Sequence, residues 1–93
     1  SKKRSWILMF RVKVLPRAES QLVKIQKNIQ IKIVAFIDNL EVTYYPNKYD
    51  ISKLKGCGHT YRVRIGNYRI FYFVDFQNKE ITILYIRLRK KAY

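Results

Sequence analysis

The sequence predicts an α+β domain: a first strand, two helices, then three strands, with the helices on one face of a mainly antiparallel, twisted sheet. Three observations predict it. A segment near the start alternates apolar and basic residues, apolar residues then recur at helical spacing, and the second half alternates again around short turns. A chain of 93 residues supports one domain, and a hydrophobic content of 48% is enough to build its core. No repeat, low-complexity tract or linker divides it.

Phe10, Val12 and Val14 alternate with Arg11 and Lys13, the period of a half-buried strand. Pro16 suits the first turn of a helix, where its missing N–H costs little. Ala18, Leu22, Ile25 and Ile29 then follow helical spacing, and Ile33, Phe36, Ile37 and Leu40 continue it. Lys27-Asn28 is the expected break, giving two short helices packed as a hairpin. The β-branched Ile29, Ile31, Ile33, Val34 and Ile37 compete for a strand, but the i, i+3, i+4 period favours helix. Thr43 to Asp50 reads as a loop in which Tyr44-Tyr45 caps the helix end, and Lys53 to His59 as a second connection broken by Gly56 and Gly58.

The hairpin that follows is the strongest local signal. Tyr61, Val63 and Ile65 alternate with Arg62 and Arg64; Gly66-Asn67 forms the turn; Tyr68, Ile70, Tyr72 and Val74 alternate with Arg69, Phe71 and Phe73. Gln77-Asn78-Lys79 is the next turn, Ile81–Arg87 the last strand, and a basic tail runs to Tyr93.

Composition narrows the function. Twenty Lys and Arg face six Asp and Glu, a formal charge of +14. The surplus is spread along the chain, so a basic folded domain is expected, with a short basic arm at Lys2-Lys3-Arg4. Such a charge repels itself and calls for a polyanion: nucleic acid first, an acidic protein second, an anionic membrane a distant third. One cysteine and one histidine make neither an internal disulfide nor a four-ligand zinc site, and no cofactor or metal is expected. No apolar run approaches the ~20 residues of a membrane span, and Trp6–Phe10 lacks the cleavage site of a secretory signal. A cytoplasmic, reduced, soluble protein is expected.

The two-residue turn makes Ile65 oppose Tyr68, Arg64 oppose Arg69 and Arg62 oppose Phe71. Tyr61, Val63, Ile65, Tyr68, Ile70 and Tyr72 therefore share the face that packs on the helices, and Arg62, Arg64 and Arg69 gather on the other beside Phe71 and Phe73. Like charges directly opposed destabilise a sheet, and no acid occurs from Ile51 to Val74 to relieve them. The cluster is built for an anion, unless it is simply a solvated face. All three residues are Arg, whose planar fork suits phosphate. Phe71 and Phe73 are placed to stack on unpaired bases, the alternative being a second small core under the C-terminal tail.

Other candidates carry less. Cys57 and His59, two apart in a glycine loop with no third orienting group, make a poor nucleophile–base pair, and His59 alone is a weak general-base candidate. Trp6 reads as an anchoring aromatic of the first strand. There is no carboxylate pair or phosphate-cradling glycine loop.

Lys53-Leu54-Lys55-Gly56 followed by Tyr61-Arg62-Val63-Arg64-Ile65-Gly66-Asn67-Tyr68-Arg69-Ile70 resembles the hairpin core of the RelE/ParE toxin superfamily. Met9-Phe10-Arg11-Val12, the helix hairpin and the C-terminal Arg-Lys-Lys-Ala-Tyr agree with it, so the resemblance covers residues 9–93 and leaves residues 1–8 as a basic extension. It implies a β-α-α-β-β-β fold and the toxin of a toxin–antitoxin pair. The RelE-like branch, its archaeal members above all, is the more similar. Such toxins enter the ribosomal A site and cleave mRNA, whereas ParE-like members poison DNA gyrase and lack the full basic set. The resemblance assigns catalytic roles to Arg62, Arg64, Arg69, Arg89 and Tyr93. RNA binding is expected at Lys53, Lys55, Phe71, Phe73, Arg87, Lys90 and Lys91.

The chemistry that fits is attack of a ribose 2′-OH on its own phosphate, with guanidinium groups stabilising the phosphorane. Proton transfer is the open point. Some relatives carry Lys where Arg62 and Arg64 stand, and Arg cannot act as a base. Tyr93, Lys91 and Lys55 remain candidates, and weak or no cleavage of free RNA is expected. The partners implied are mRNA on the ribosome and an acidic antitoxin, with no membrane, the toxin being a monomer or part of a heterocomplex. Two alternatives stay open: a gyrase inhibitor without nuclease activity, and a non-catalytic RNA- or ribosome-binding protein.

Overall fold

The computed structural model describes residues 9–88. Trp6 and the Lys2-Lys3-Arg4 arm lie outside the described residues, as do Arg89, Lys90, Lys91 and Tyr93. The elements in order are β1 (Arg11–Val14), α1 (Pro16–Leu22), α2 (Lys27–Leu40), β2 (Asp50–Lys53), β3 (Thr60–Ile65), β4 (Tyr68–Asp75) and β5 (Glu80–Leu88). One five-stranded sheet has the order β1-β5-β4-β3-β2. β1 runs parallel to β5, and every other neighbouring pair is antiparallel. The chain thus leaves one edge of the sheet and returns at the other, so the two-helix connection must cross a single face.

That face holds the core. Ala18 of α1 and Ile33, Phe36 and Leu40 of α2 are fully buried with Val63, Ile70, Tyr72, Val74, Ile81 and Ile83 of the sheet. Full burial of each large apolar side chain stabilises by about 1.5–3 kcal/mol, an upper estimate for a chain that is already partly collapsed when unfolded. The Tyr72 hydroxyl donates to the Tyr44 carbonyl (2.8 Å), and burial, then the neighbouring tyrosines, push its pKa well above the usual phenolic range. Tyr44 and Tyr45 do not cap α2 as expected. Its C-cap is Glu41, and the tyrosines tie the following loop to the sheet, the Tyr45 hydroxyl donating to the Ile51 carbonyl (2.9 Å).

Three further features differ from the sequence reading. The helices part at 23–26, not at Lys27-Asn28: backbone bonds from Lys24 to Gln21 and from Ile25 to Leu22 close α1, and Ile25 enters the core from the connection. Ile29 consequently belongs to the inward stripe of α2. Asp50–Lys53, where the sequence reads as loop at Asp50 and at Lys53 with no element between them, is an edge strand on β3. It is too short for alternation to show, with Ile51 its only buried residue. Lastly, β5 carries a bulge. Phe71 pairs with Tyr85 and Tyr72 with Ile83, which leaves Leu84 unpaired. Ile81 and Ile83 are buried before it and Ile86 after it, so the inward parity switches from odd to even residues. The hairpin register is the one expected: Ile65 opposes Tyr68, Arg64 opposes Arg69 and Arg62 opposes Phe71.

Candidate nucleic-acid interface

The face of the sheet away from the core carries two adjacent rows of side chains. Register aligns Asp50, Arg64, Arg69 and Arg87 across β2, β3, β4 and β5. It aligns Ser52, Arg62, Phe71 and Tyr85 in the next row. With strands ~4.8 Å apart and same-face residues ~7 Å apart along a strand, four arginines occupy a patch roughly 10 Å across. Arg87 reaches it only because of the bulge. Simple alternation would put Arg87 and Tyr85 on the face of Ile81 and Ile83.

The electrostatics favour an anion. Two unit charges ~5 Å apart repel by roughly 1 kcal/mol in water and about 3 kcal/mol at the effective dielectric near a protein surface. Arg64 and Arg69 are directly opposed, and the Nε atoms of Arg62 and Arg69 are buried with no hydrogen-bond partner. An unmet buried donor of this kind costs about 1–3 kcal/mol. A phosphate on this row would relieve the repulsion directly, and the missing bonds once the two side chains turn their Nε atoms outward. The expectation that no acid joins the cluster needs correction: β2 sets Asp50 opposite Arg64, with Asp50 Oδ2 3.6 Å from Arg64 Nε. Both side chains are well exposed, so this pair is weak and leaves the arginine row positive.

The expected RNA-binding residues divide. Arg87 joins the cluster, and Phe73 is exposed on the same face, between Thr60 and Thr82, one same-face step from Phe71. Phe71 is not free to receive a base, contrary to expectation: it is buried and stacked on Tyr85, ring centroids 4.6 Å apart at 18°. This is the start of the small second core, made against Tyr85 of β5; the tail expected over it lies outside the described residues from Arg89 onward. Lys53 is exposed but opposes Tyr61, which places it on the helix-side parity, and Lys55 sits in the loop at the Thr60 end of β3. Neither is brought to the arginines. Among the catalytic candidates, Arg62, Arg64 and Arg69 come together, while Arg89 and Tyr93 lie outside the described residues, as do Lys90 and Lys91.

Besides Asp50, two residues at the site escaped the sequence reading. Tyr85, half-buried, carries Arg17 Cζ at 5.2 Å and Arg87 Cζ at 5.6 Å from its ring centroid. Only the bulge places Tyr85 here, and nothing local to α1 marks Arg17. Cys57 is exposed and His59 packs edge-on against Phe76 (4.9 Å), in the loop at the far end of β3 from Arg64. Among the described residues no group of His, Cys, Asp or Glu could hold a metal ion, and no helix is long and apolar enough to cross a membrane.

Residues 12–93 match the family described as ParE toxin of type II toxin-antitoxin system, parDE. "Putative toxin RelE1" of Methanocaldococcus jannaschii is 33% identical over 87 residues, covering 92% of this chain and 97% of that protein. The archaeal RelE-RelB complex of Pyrococcus horikoshii OT3 contains a chain 34% identical with a TM-score of 0.83, covering 91% of this chain and 100% of that one. The RelB-RelE antitoxin-toxin complex of Methanococcus jannaschii contains one 25% identical with a TM-score of 0.71, covering 81% and 87%. The chain belongs to the ParE toxin family of type II toxin–antitoxin systems and is a RelE-like toxin.

Proposed function

We propose that this toxin is a ribosome-dependent mRNA endonuclease that acts in the cytoplasm and inhibits translation by cutting mRNA in the A site. The observation that carries the reading is the convergence of Arg62, Arg64, Arg69 and Arg87 on one sheet face, with two buried guanidinium donors unmet. The ribose 2′-oxygen attacks the adjacent phosphorus. The O2′–P bond forms, the P–O5′ bond breaks, the 2′ proton passes to a base and the departing 5′-oxygen takes up a proton. Negative charge grows on the phosphoryl oxygens, where preorganised guanidinium donors act most strongly. Arg64 and Arg69 bracket the position a phosphoryl group would take, and Arg62 and Arg87 flank it.

None of the four arginines can serve as the base. Asp50, the carboxylate beside them, is engaged with Arg64. The resemblance assigns a role at the cleavage site to Tyr93, and with Arg89 it completes the set. The ribosome orients the substrate around this arrangement, so free RNA is cut weakly. Primer extension on translating ribosomes tests the reading: Arg69→Ala should lower cleavage by about 10²–10³-fold, the effect of losing one transition-state donor. Equal cleavage by parent and variant would refute it.

The relatives crystallised as RelE-RelB complexes support an acidic antitoxin as partner, and the charge of +14 supplies the complementarity. The family description names ParE, so gyrase poisoning is the second reading. The full arginine cluster argues against it, and inhibition of supercoiling by the purified toxin would decide in its favour.

A further inference from the structure

Tyr85 ends an aromatic step with a cation at either side. Along the second row, Arg62 of β3 is followed by Phe71, by Tyr85 stacked on it at 18°, and then by Arg17 of α1, 5.2 Å from the Tyr85 ring. Arg17 is exposed and takes part in no ion pair among the described residues. Its position is not accidental. β1 stops at Val14, and α1 continues its line beside β5: the Leu15 N–H donates to the Ile83 carbonyl (3.1 Å), and Gln21 Oε1 accepts from the Ile86 N–H (2.7 Å). These two bonds bracket Tyr85 and hold α1 against it. The ring then keeps the guanidinium in place by a cation–π contact of about 0.5–1 kcal/mol at an exposed site.

Arg64 and Arg69 face each other across the β3–β4 pair, whereas Arg17 lies over the Tyr85 ring of β5, 5.2 Å from its centroid. It therefore stands in the neighbouring row and over the next strand from a phosphate held between Arg64 and Arg69. We propose that the RNA track continues from the arginine cluster over the Phe71–Tyr85 step to Arg17, which holds the backbone phosphate of a flanking nucleotide. This deepens the RNA reading of the site and rests on it. The alternation matches the ligand: a single strand carries phosphates at regular intervals, separated by sugar and base that can pass over an apolar step.

Titrations with an oligouridylate of about ten nucleotides, and with a uridine dinucleotide too short to reach both ends, test the proposal. Arg17→Ala should weaken binding of the longer strand up to about five-fold and lower its salt slope by roughly 0.7, the value for one phosphate contact on a single strand. Arg17→Lys should restore the slope, because it keeps the charge. Circular dichroism should show both variants folded, since the residue is exposed. Full affinity and an unchanged slope in Arg17→Ala would overturn the inference, and if Arg62→Ala still weakened both ligands the cluster reading would stand without it. If the parent bound neither ligand, the RNA reading would fall and this inference with it.

Discussion

Asp50 is the carboxylate in the arginine row, so replacing it should strengthen the grip on RNA. Its Oδ2 lies 3.6 Å from Arg64 Nε, with the two side chains 65% and 43% exposed. A phosphate bound at Arg64 would lie ~7 Å from that carboxylate. The resulting repulsion is roughly 0.6 kcal/mol in water and about 2 kcal/mol at the effective dielectric of a protein surface. Asp50→Asn removes this repulsion and frees Arg64, so single-stranded RNA should bind at least about three-fold more tightly. The cost in stability should stay below ~1 kcal/mol, as is usual for an exposed ion pair. Fluorescence anisotropy with a labelled oligonucleotide at ~0.1 M salt, where screening extends over ~10 Å, is the assay. Asp38→Asn on α2 provides the charge-matched control: it is exposed and belongs to an element packed on the other face of the sheet. An Asp50→Asn protein that binds no tighter than the parent, or one matched by Asp38→Asn, would show that the row is not where RNA binds.

The remaining predictions concern how the fold presents this face. Gly66 has φ 59°, and a Cβ there would come within 2.9 Å of Ile29 Cδ1, so Gly66→Ala should cost about 1–3 kcal/mol, read as a lower denaturant midpoint; an unchanged midpoint would mean the hairpin turn is not pressed against α2. Tyr72→Phe removes the hydroxyl that donates to the Tyr44 carbonyl and should cost about 1 kcal/mol near neutral pH. Because burial raises the folded pKa of Tyr72, the unfolded chain ionises first: the parent should be fully stable below pH ~10 and lose stability as pH rises beyond it. Tyr72→Phe should flatten that decline without abolishing it, since Tyr61 is raised in the same direction, whereas an equally steep loss in the variant would contradict the assignment.

The pairing of β3 with β4 could be read from the chain because both determinants are local. Gly66-Asn67 allows a two-residue turn, and period-2 alternation then assigns every side chain from Tyr61 to Tyr72 to a face. Arg62, Arg64 and Arg69 were legible for that reason. The helices were legible from their apolar spacing, while their boundary was displaced because Ile25 and Ile29, a helical step apart, belong to different elements. Phe71 was assigned to the correct face but not to its neighbour, since exposure depends on what the adjacent strand brings alongside.

The local pattern of this polypeptide was sufficient to establish the class of fold, the tight hairpin and a basic sheet surface. It could not establish which residues complete that surface. Asp50 enters because an exposed β3 edge recruits four residues too few to display a period, while Tyr85 enters, and the expected Arg87 is turned to this face, because the unpaired Leu84 reverses the facing of β5. Arg17 enters because α1 is fastened along the line of β1. Each depends on how one segment pairs with another, and the periodicity within a segment carries no information about its partner or its register.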